Sequence, residues 1–144
     1  MSNFRSNIVN NGRFIGDRMR LTPTDVVCCP PPLFHCFGLV LGLLAAITHG
    51  SSIVFPSETY QPLAALEAVT KEKCTALHGV PAMFAAELEL LKPGMDFSSL
   101  RTGIAAGAPV PLKMMNDLRE RFHLAEITNT YGASIMTTWI TIGS

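Results

Sequence analysis

Thr75-Ala-Leu-His-Gly-Val-Pro-Ala-Met-Phe-Ala-Ala-Glu-Leu-Glu-Leu-Leu91 holds a strand, a turn and a helix in immediate succession. Thr75 to His78 reads as a short strand. Gly79-Val80-Pro81 then turns the chain, and proline suits the first turn of the helix predicted over Ala82 to Leu91. Lys92-Pro93-Gly94 stops that helix. Downstream the unit recurs. After a loop over Asp96 to Ser99, Arg101 to Ala105 reads as a strand, and Pro111 opens a helix with Leu112, Met115, Leu118 and Phe122 at helical spacing. That stripe is expected to face the core, with Arg119-Glu120-Arg121 on a solvated face, and Glu126 to Thr130 is expected to be the last strand.

Upstream, Asp25 to Cys29 is strand-like and is stopped by Pro30-Pro31-Pro32, which cannot donate to a ladder. Phe37 to His49 is apolar on nearly all sides, as a helix between layers would be, and Gly50 supplies a C-cap signal. Ser52 to Phe55 is a strand closed by Pro56. Pro62 opens an amphipathic helix with Leu63, Leu66 and Val69 opposite Glu67, Lys71 and Glu72. Strand and helix alternating at this interval predict an α/β architecture: a mostly parallel sheet with helices on both faces, in three layers.

The 144 residues suffice for one domain or part of one. Hydrophobic residues make up 48% and charged residues 15%, so some apolar surface is expected to need a partner. Eleven basic side chains balance eleven acidic ones, which leaves no field to gather nucleic acid or an anionic membrane. Cys28, Cys29, Cys36 and Cys74 lack CxxC spacing and sit among apolar residues, a pattern of reduced core thiols and an intracellular, reducing compartment. The apolar run from Cys36 to Ile47 falls short of the about 20 residues that span a bilayer. Met1 to Asn11 lacks the apolar stretch of a secretory signal.

Open parallel sheets bind ligands beyond the carboxyl ends of their strands. Four segments occupy such ends: Pro31 to Gly38, His78 to Pro81, Ala105 to Pro109, and Tyr131 to Ile135. Each mixes proline or glycine with polar groups, which ordinary turns also do. His35 and His78 fall in these segments and read equally well as packed histidines. His49 and His123 read as helix-end residues.

At these same loops the sequence resembles the adenylate-forming superfamily of acyl-CoA synthetases, luciferases and peptide-synthetase adenylation domains, with the fatty-acyl-CoA ligases nearest. Five segments carry the resemblance in order. They are Asn7-Ile-Val-Asn-Asn11, Pro32-Leu-Phe-His-Cys-Phe-Gly38, Gly79-Val-Pro81, Leu100-Arg-Thr-Gly-Ile-Ala-Ala-Gly-Ala-Pro109, and Asn129-Thr-Tyr-Gly-Ala133. The resemblance covers nearly the whole chain and implies part of the N-terminal catalytic domain of an acyl-CoA-synthetase-like fold over residues 1–144. It implies activation of a carboxylate by ATP, assisted by Mg2+, to an acyl-adenylate, and then transfer to coenzyme A. It also implies that Gly107, Ala108 and Pro109 lie against adenine, where small residues let backbone approach a flat ring. Thr130, Tyr131 and Gly132 would border that ring or its ribose, and Ser134 would keep one phosphate contact. Phe34 and His35 would border the acyl channel, and His78, Gly79 and Val80 the carboxylate pocket.

The departures are as specific. By this resemblance the chain starts just after the glycine-rich phosphate loop, and it ends before the ribose-binding aspartate and the C-terminal lid with its catalytic lysine. Ile135 stands where the family has the glutamate that holds Mg2+. Losing one preorganised charge-stabilising group typically costs about 2.7 to 4 kcal/mol of transition-state stabilisation, and several are missing together. The expectation is a fragment of a ligase for medium or long fatty acids that is inactive alone. Two other readings stand beside it: a non-catalytic AMP- or acyl-binding regulatory module, and a piece that self-associates through exposed sheet edges.

Overall fold

The computed structural model describes residues 2–131 and 140–142, with side chains over residues 6–130. Helix α1 spans Ser2–Arg18, followed by strand β1 at Val26–Cys28. A π-helical stretch over Phe37–Leu44 continues into α2 at Ala45–Thr48, and β2 is Ser52–Val54. Then come α3 (Pro62–Glu72), β3 (Ala76–Gly79), α4 (Pro81–Glu89), β4 (Thr102–Ala106), α5 (Leu112–Arg121), β5 (Glu126–Tyr131) and β6 (Ile140–Ile142). The strand order is β2-β1-β3-β4-β5-β6. The first five strands run parallel, and β6 pairs antiparallel with β5. The predicted three-layer α/β sheet is therefore observed. Its 2-1-3-4-5 order is a doubly wound one, with its switch point between β1 and β3.

Strand side chains alternate between two cores, as a sheet covered on both faces requires. Cys28, Leu77 and Ala105 pack with Leu66 and Val69 of α3, Phe84 of α4, and Leu118 and Phe122 of α5. Their neighbours Val27, Ala76 and Ile104 pack on the other face with Ile15 and Met19 of α1, the π-helical stretch, and Ala45 and Ala46 of α2. Gly103 is the tightest point of the sheet, because a Cβ there would overlap the Leu77 carbonyl on β3.

The amino ends of three strands are tied together by one carboxylate. Asp25, just before β1, accepts from Arg101 just before β4 and from the Thr75 hydroxyl just before β3. Arg101 also donates to the carbonyls of Met19 and Arg20 beyond α1. This arrangement closes the end of the sheet opposite the site.

Four expectations need correction. The helix predicted over Phe37 to His49 is present, but its first part winds as a π-helix, which hydropathy cannot signal. Glu126 to Thr130 is not the last strand, since β6 follows it. Leu112 is 76% exposed at the first position of α5, outside the core that Leu118 and Phe122 join. Arg121 is not merely solvated, because its Nη2 donates to the Leu88 carbonyl at the end of α4, 3.2 Å away.

Candidate functional site

The carboxyl ends of β1, β3, β4 and β5 present the candidate residues along one rim of the sheet. After β1, consecutive prolines take the chain out of the ladder. Phe34 is 95% exposed there, and His35 is also exposed. The His35 Nδ1 accepts the Phe37 N–H at 3.1 Å, which satisfies one of the orphan donors of the helix start.

At the end of β3, His78 is fully buried and faces the π-helical stretch. Its Nε2 lies 3.0 Å from the Leu41 carbonyl, and its Nδ1 has no hydrogen-bond partner. Burial pushes its pKa down to about 4, so the ring is neutral near pH 7. Sealed in this way, the His78 side chain presents no surface at the rim, whereas the expectation had it line a carboxylate pocket. Gly79 lets α4 close on the sheet, because a Cβ there would press on the Phe84 ring at 3.2 Å. Val80 is half-buried and reaches the next loop.

That loop follows β4. Gly107 has φ +88°, a backbone conformation that favours glycine, and a Cβ on it would lie 3.2 Å from Val80 Cγ1. Gly107, Ala108 and Pro109 are all exposed, so a bare backbone shelf stands at the end of β4 beside Val80. In the β4–β5 register Ala106 pairs with Thr130, which is 2% exposed and has an unpartnered hydroxyl. Tyr131 closes β5. Gly132, Ser134 and Ile135 lie outside the described residues. The structure thus brings Val80 to Gly107 and Thr130 to Ala106, leaves Phe34 and His35 exposed at the β1 end, and buries His78 against Phe37 and Leu41 of the π-helical stretch.

A mainly apolar cleft of about 540 Å3 opens at the β1 end of this rim. Pro30, Pro31, Pro32, Leu33 and Phe34 form one wall, and Phe55, Ser57, Glu58, Thr59 and Tyr60 after β2 form the other, with Met83 of α4 between them. Of the candidate segment Pro31 to Gly38, Pro31, Pro32, Leu33 and Phe34 line it and His35 does not. The Tyr60 hydroxyl donates to the Met83 carbonyl at 2.9 Å and lies 3.2 Å from Oε1 of Glu87. Glu87 is fully buried, and burial pushes its pKa up to about 8, so it is mainly protonated at pH 7 and can itself donate to Tyr60. The Phe55 to Tyr60 wall was missed from sequence, although β2 has a carboxyl end like the other strands and the same rule covers it.

Small residues and open backbone at the end of β4 suit a flat heterocycle. A divalent cation is a different matter. The described residues at the ends of β4 and β5 supply a threonine and backbone but no carboxylate, so they do not fit Mg2+. Among the described residues no group of three or more His, Cys, Asp or Glu side chains could hold a metal.

The sequence profile of AMP-binding enzymes matches residues 2–143. The chain belongs to the AMP-binding enzyme family. It is 65% identical over 127 residues to the acyl-CoA ligase sidI of Aspergillus fumigatus, covering 88% of this chain and 22% of that protein. It is 39% identical over 133 residues to the mitochondrial medium-chain acyl-CoA ligase ACSF2 of Danio rerio, again 22% of that protein's length. This AMP-binding chain therefore spans about a fifth of the relatives it matches. The fold agrees with that of the anthranilate CoA ligase AuaEII solved with anthranoyl-AMP, with a TM-score of 0.78 at 24% identity over 88% of this chain and 25% of that one. ATP-bound MatB from Rhodopseudomonas palustris gives a TM-score of 0.76 at 23% identity over 94% of this chain and 27% of that one. Among the described residues no helix is long and apolar enough to cross a membrane.

Proposed function

We propose that this chain supplies the adenine-side and acyl-side walls of an ATP-dependent carboxylate–CoA ligase acting on medium or long fatty acids in an intracellular compartment. The observation that carries this reading is the backbone shelf of Gly107, Ala108 and Pro109 against Val80, on the same strand-end rim as Phe34 and His35. In the proposed reaction a substrate carboxylate oxygen attacks the α-phosphorus of ATP, pyrophosphate leaves, and the acyl-adenylate forms. The thiol of coenzyme A then displaces AMP at the acyl carbon. The shelf receives adenine, the backbone of Thr130 and Tyr131 at the end of β5 borders the nucleotide, and Phe34, His35 and Val80 border the acyl group. The relatives named as acyl-CoA ligases and the apolar cleft beside Phe34 support an acyl substrate.

The chain alone is expected to bind without turnover, because the described residues at the ends of β4 and β5 supply no carboxylate for Mg2+. Ile135, at the position of the family's metal-binding glutamate, favours a second reading as a binding module that has lost the chemistry. Isothermal titration of the purified chain with a non-hydrolysable acyl-adenylate analogue tests both readings. The expected result is saturable binding that Ala108→Trp abolishes by filling the shelf. A folded wild-type chain that binds nothing would overturn both. Turnover restored by adding the flanking segments of the ligase domain would select the ligase over the module.

A further inference from the structure

We infer that His78 is a positioning residue, which holds Phe37–Leu44 in its π winding through the Leu41 carbonyl and so sets where Phe34 and His35 stand on the rim. The second half of that statement rests on the site reading above, and the first half stands on geometry alone. In an α-helix the Ala45 N–H would donate to Leu41. Here it donates to the carbonyls of Val40 and Gly42. The Leu41 carbonyl is thereby released from its helical donor, and the His78 Nε2 supplies another at 3.0 Å from the neighbouring layer.

The donor comes from a fixed point. His78 lies in β3, at the centre of the sheet, where it pairs with Ile104 of β4. Its ring also stands 6.0 Å from that of Phe37, and the Phe37 N–H is the donor that holds His35 Nδ1. A continuous set of contacts thus runs from the sheet through the first residue of the π-helix to the exposed loop. π-helical turns are rare, and an eight-residue one is long for the kind.

The winding and the loop are coupled from the other side too. A Cβ on Gly38 would collide with the carbonyls of Pro31 and Pro32, and one on Gly42 with Cys29 Sγ. Gly38 is where the polyproline turn rests on the stretch, and Gly42 is where Cys29, at the end of β1, rests on it. Rewinding the stretch as an α-helix changes the rotation per residue and so moves Gly38 and Gly42 off these contacts. A phenylalanine at 78 would fill the space without the donor. A glutamine would keep an amide donor in reach.

Hydrogen–deuterium exchange on the full chain compares wild type, His78→Phe and His78→Gln. Exchange of the amides from Phe37 to Ala45 is expected to rise roughly tenfold in His78→Phe, as loss of one net hydrogen bond implies, with β4 and β5 unchanged. His78→Gln is expected to restore protection. Affinity for the acyl-adenylate analogue should fall roughly tenfold in His78→Phe while affinity for AMP holds. Unchanged exchange in a folded His78→Phe would overturn the inference. If His78→Phe does not fold, the imidazole 15N spectrum of the wild type at pH 7 decides. A protonated Nε2 with a bare Nδ1 is required, and the opposite tautomer overturns the proposal. A wild-type chain that binds no analogue would sink the site reading, while the exchange data would still decide what His78 does to the helix.

Discussion

Arg101 holds Asp25 at both carboxylate oxygens, Nη2 to Oδ2 at 2.7 Å and Nε to Oδ1 at 3.2 Å, across the amino ends of β1 and β4. Asp25 is buried, and Thr22 and Thr75 complete its shell. Removing only the cation leaves a buried carboxylate short of its charged partner. Arg101→Met is therefore expected to lose about 3 kcal/mol or more, a far larger effect than an exposed pair would give. Burial tends to raise the Asp25 pKa, but the hydrogen bonds from Arg101, Thr75 and Thr22 outweigh it and hold the carboxyl below its usual range. The sign follows: this stability is present above the unfolded carboxylate pKa and is lost as pH falls through the lower folded value. Urea melts from pH 6 downward should show an acid-side loss in wild type that is smaller in Arg101→Met.

Glu87 and His78 pull stability in opposite directions as pH changes. Burial raises Glu87 to about 8 and lowers His78 to about 4, against ordinary values of 4.5 and 6.5. Between pH 4.5 and 8 the folded chain binds the extra proton at Glu87, so stability falls as pH rises. Between pH 4 and 6.5 the unfolded chain binds the extra proton at His78, so stability falls as pH drops. In the overlap the two slopes cancel. Glu87→Gln should unmask the His78 limb, and its stability relative to wild type should grow by about 1.4 kcal/mol per pH unit across the Glu87 window. Chemical denaturation in half-unit pH steps reads this directly. A constant difference between the two proteins would mean that Glu87 titrates normally.

Gly103 explains part of what the sequence could not say about packing. A methyl group there would overlap the Leu77 carbonyl, within a strand whose residues are all buried. Gly103→Ala must push β3 and β4 apart or break their ladder. The expected cost is about 3 kcal/mol, at the severe end for a single methyl group. A change in Tm of less than a degree would show that the sheet can yield at this point.

The order of elements was legible because hydrophobic period and proline placement act locally. Pro62, Pro81 and Pro111 sit at the starts of α3, α4 and α5, and Leu66, Val69 and Leu118 face the core as their spacing predicts. What was not legible depends on neighbours distant in sequence. Leu112 has the right period but stands at the helix end, beyond any partner. His78 has the same one-letter context whether it faces a ligand or a carbonyl, and only the winding at Leu41 decides. Tyr60 and Glu87 are 27 residues apart and meet only once α3 and β3 have been laid between them. The strand-end rule covers the loop after β2 as well as the other four, and Phe55 to Tyr60 of that loop wall the apolar cleft.

Gly107 separates stability from binding. Its φ of +88° strains any other residue, and Val80 Cγ1 stands 3.2 Å from where a Cβ would sit. The residue is exposed at a loop tip, so Gly107→Ala need only shift the loop and flex Val80. A stability cost of about 1 to 2 kcal/mol is expected. If the shelf receives adenine, the same displacement tilts the backbone that the ring must lie on. Affinity for AMP should then fall by more than the stability change alone would produce. Comparing Gly107→Ala with Gly94→Ala makes this readable. Gly94 has φ +93° with nothing near its Cβ and lies in the loop after α4. Both variants should melt lower by similar amounts, and only Gly107→Ala should lose nucleotide. Equal affinity in the two would show that the end of β4 is an ordinary turn, and adenine would have to be sought elsewhere on the rim.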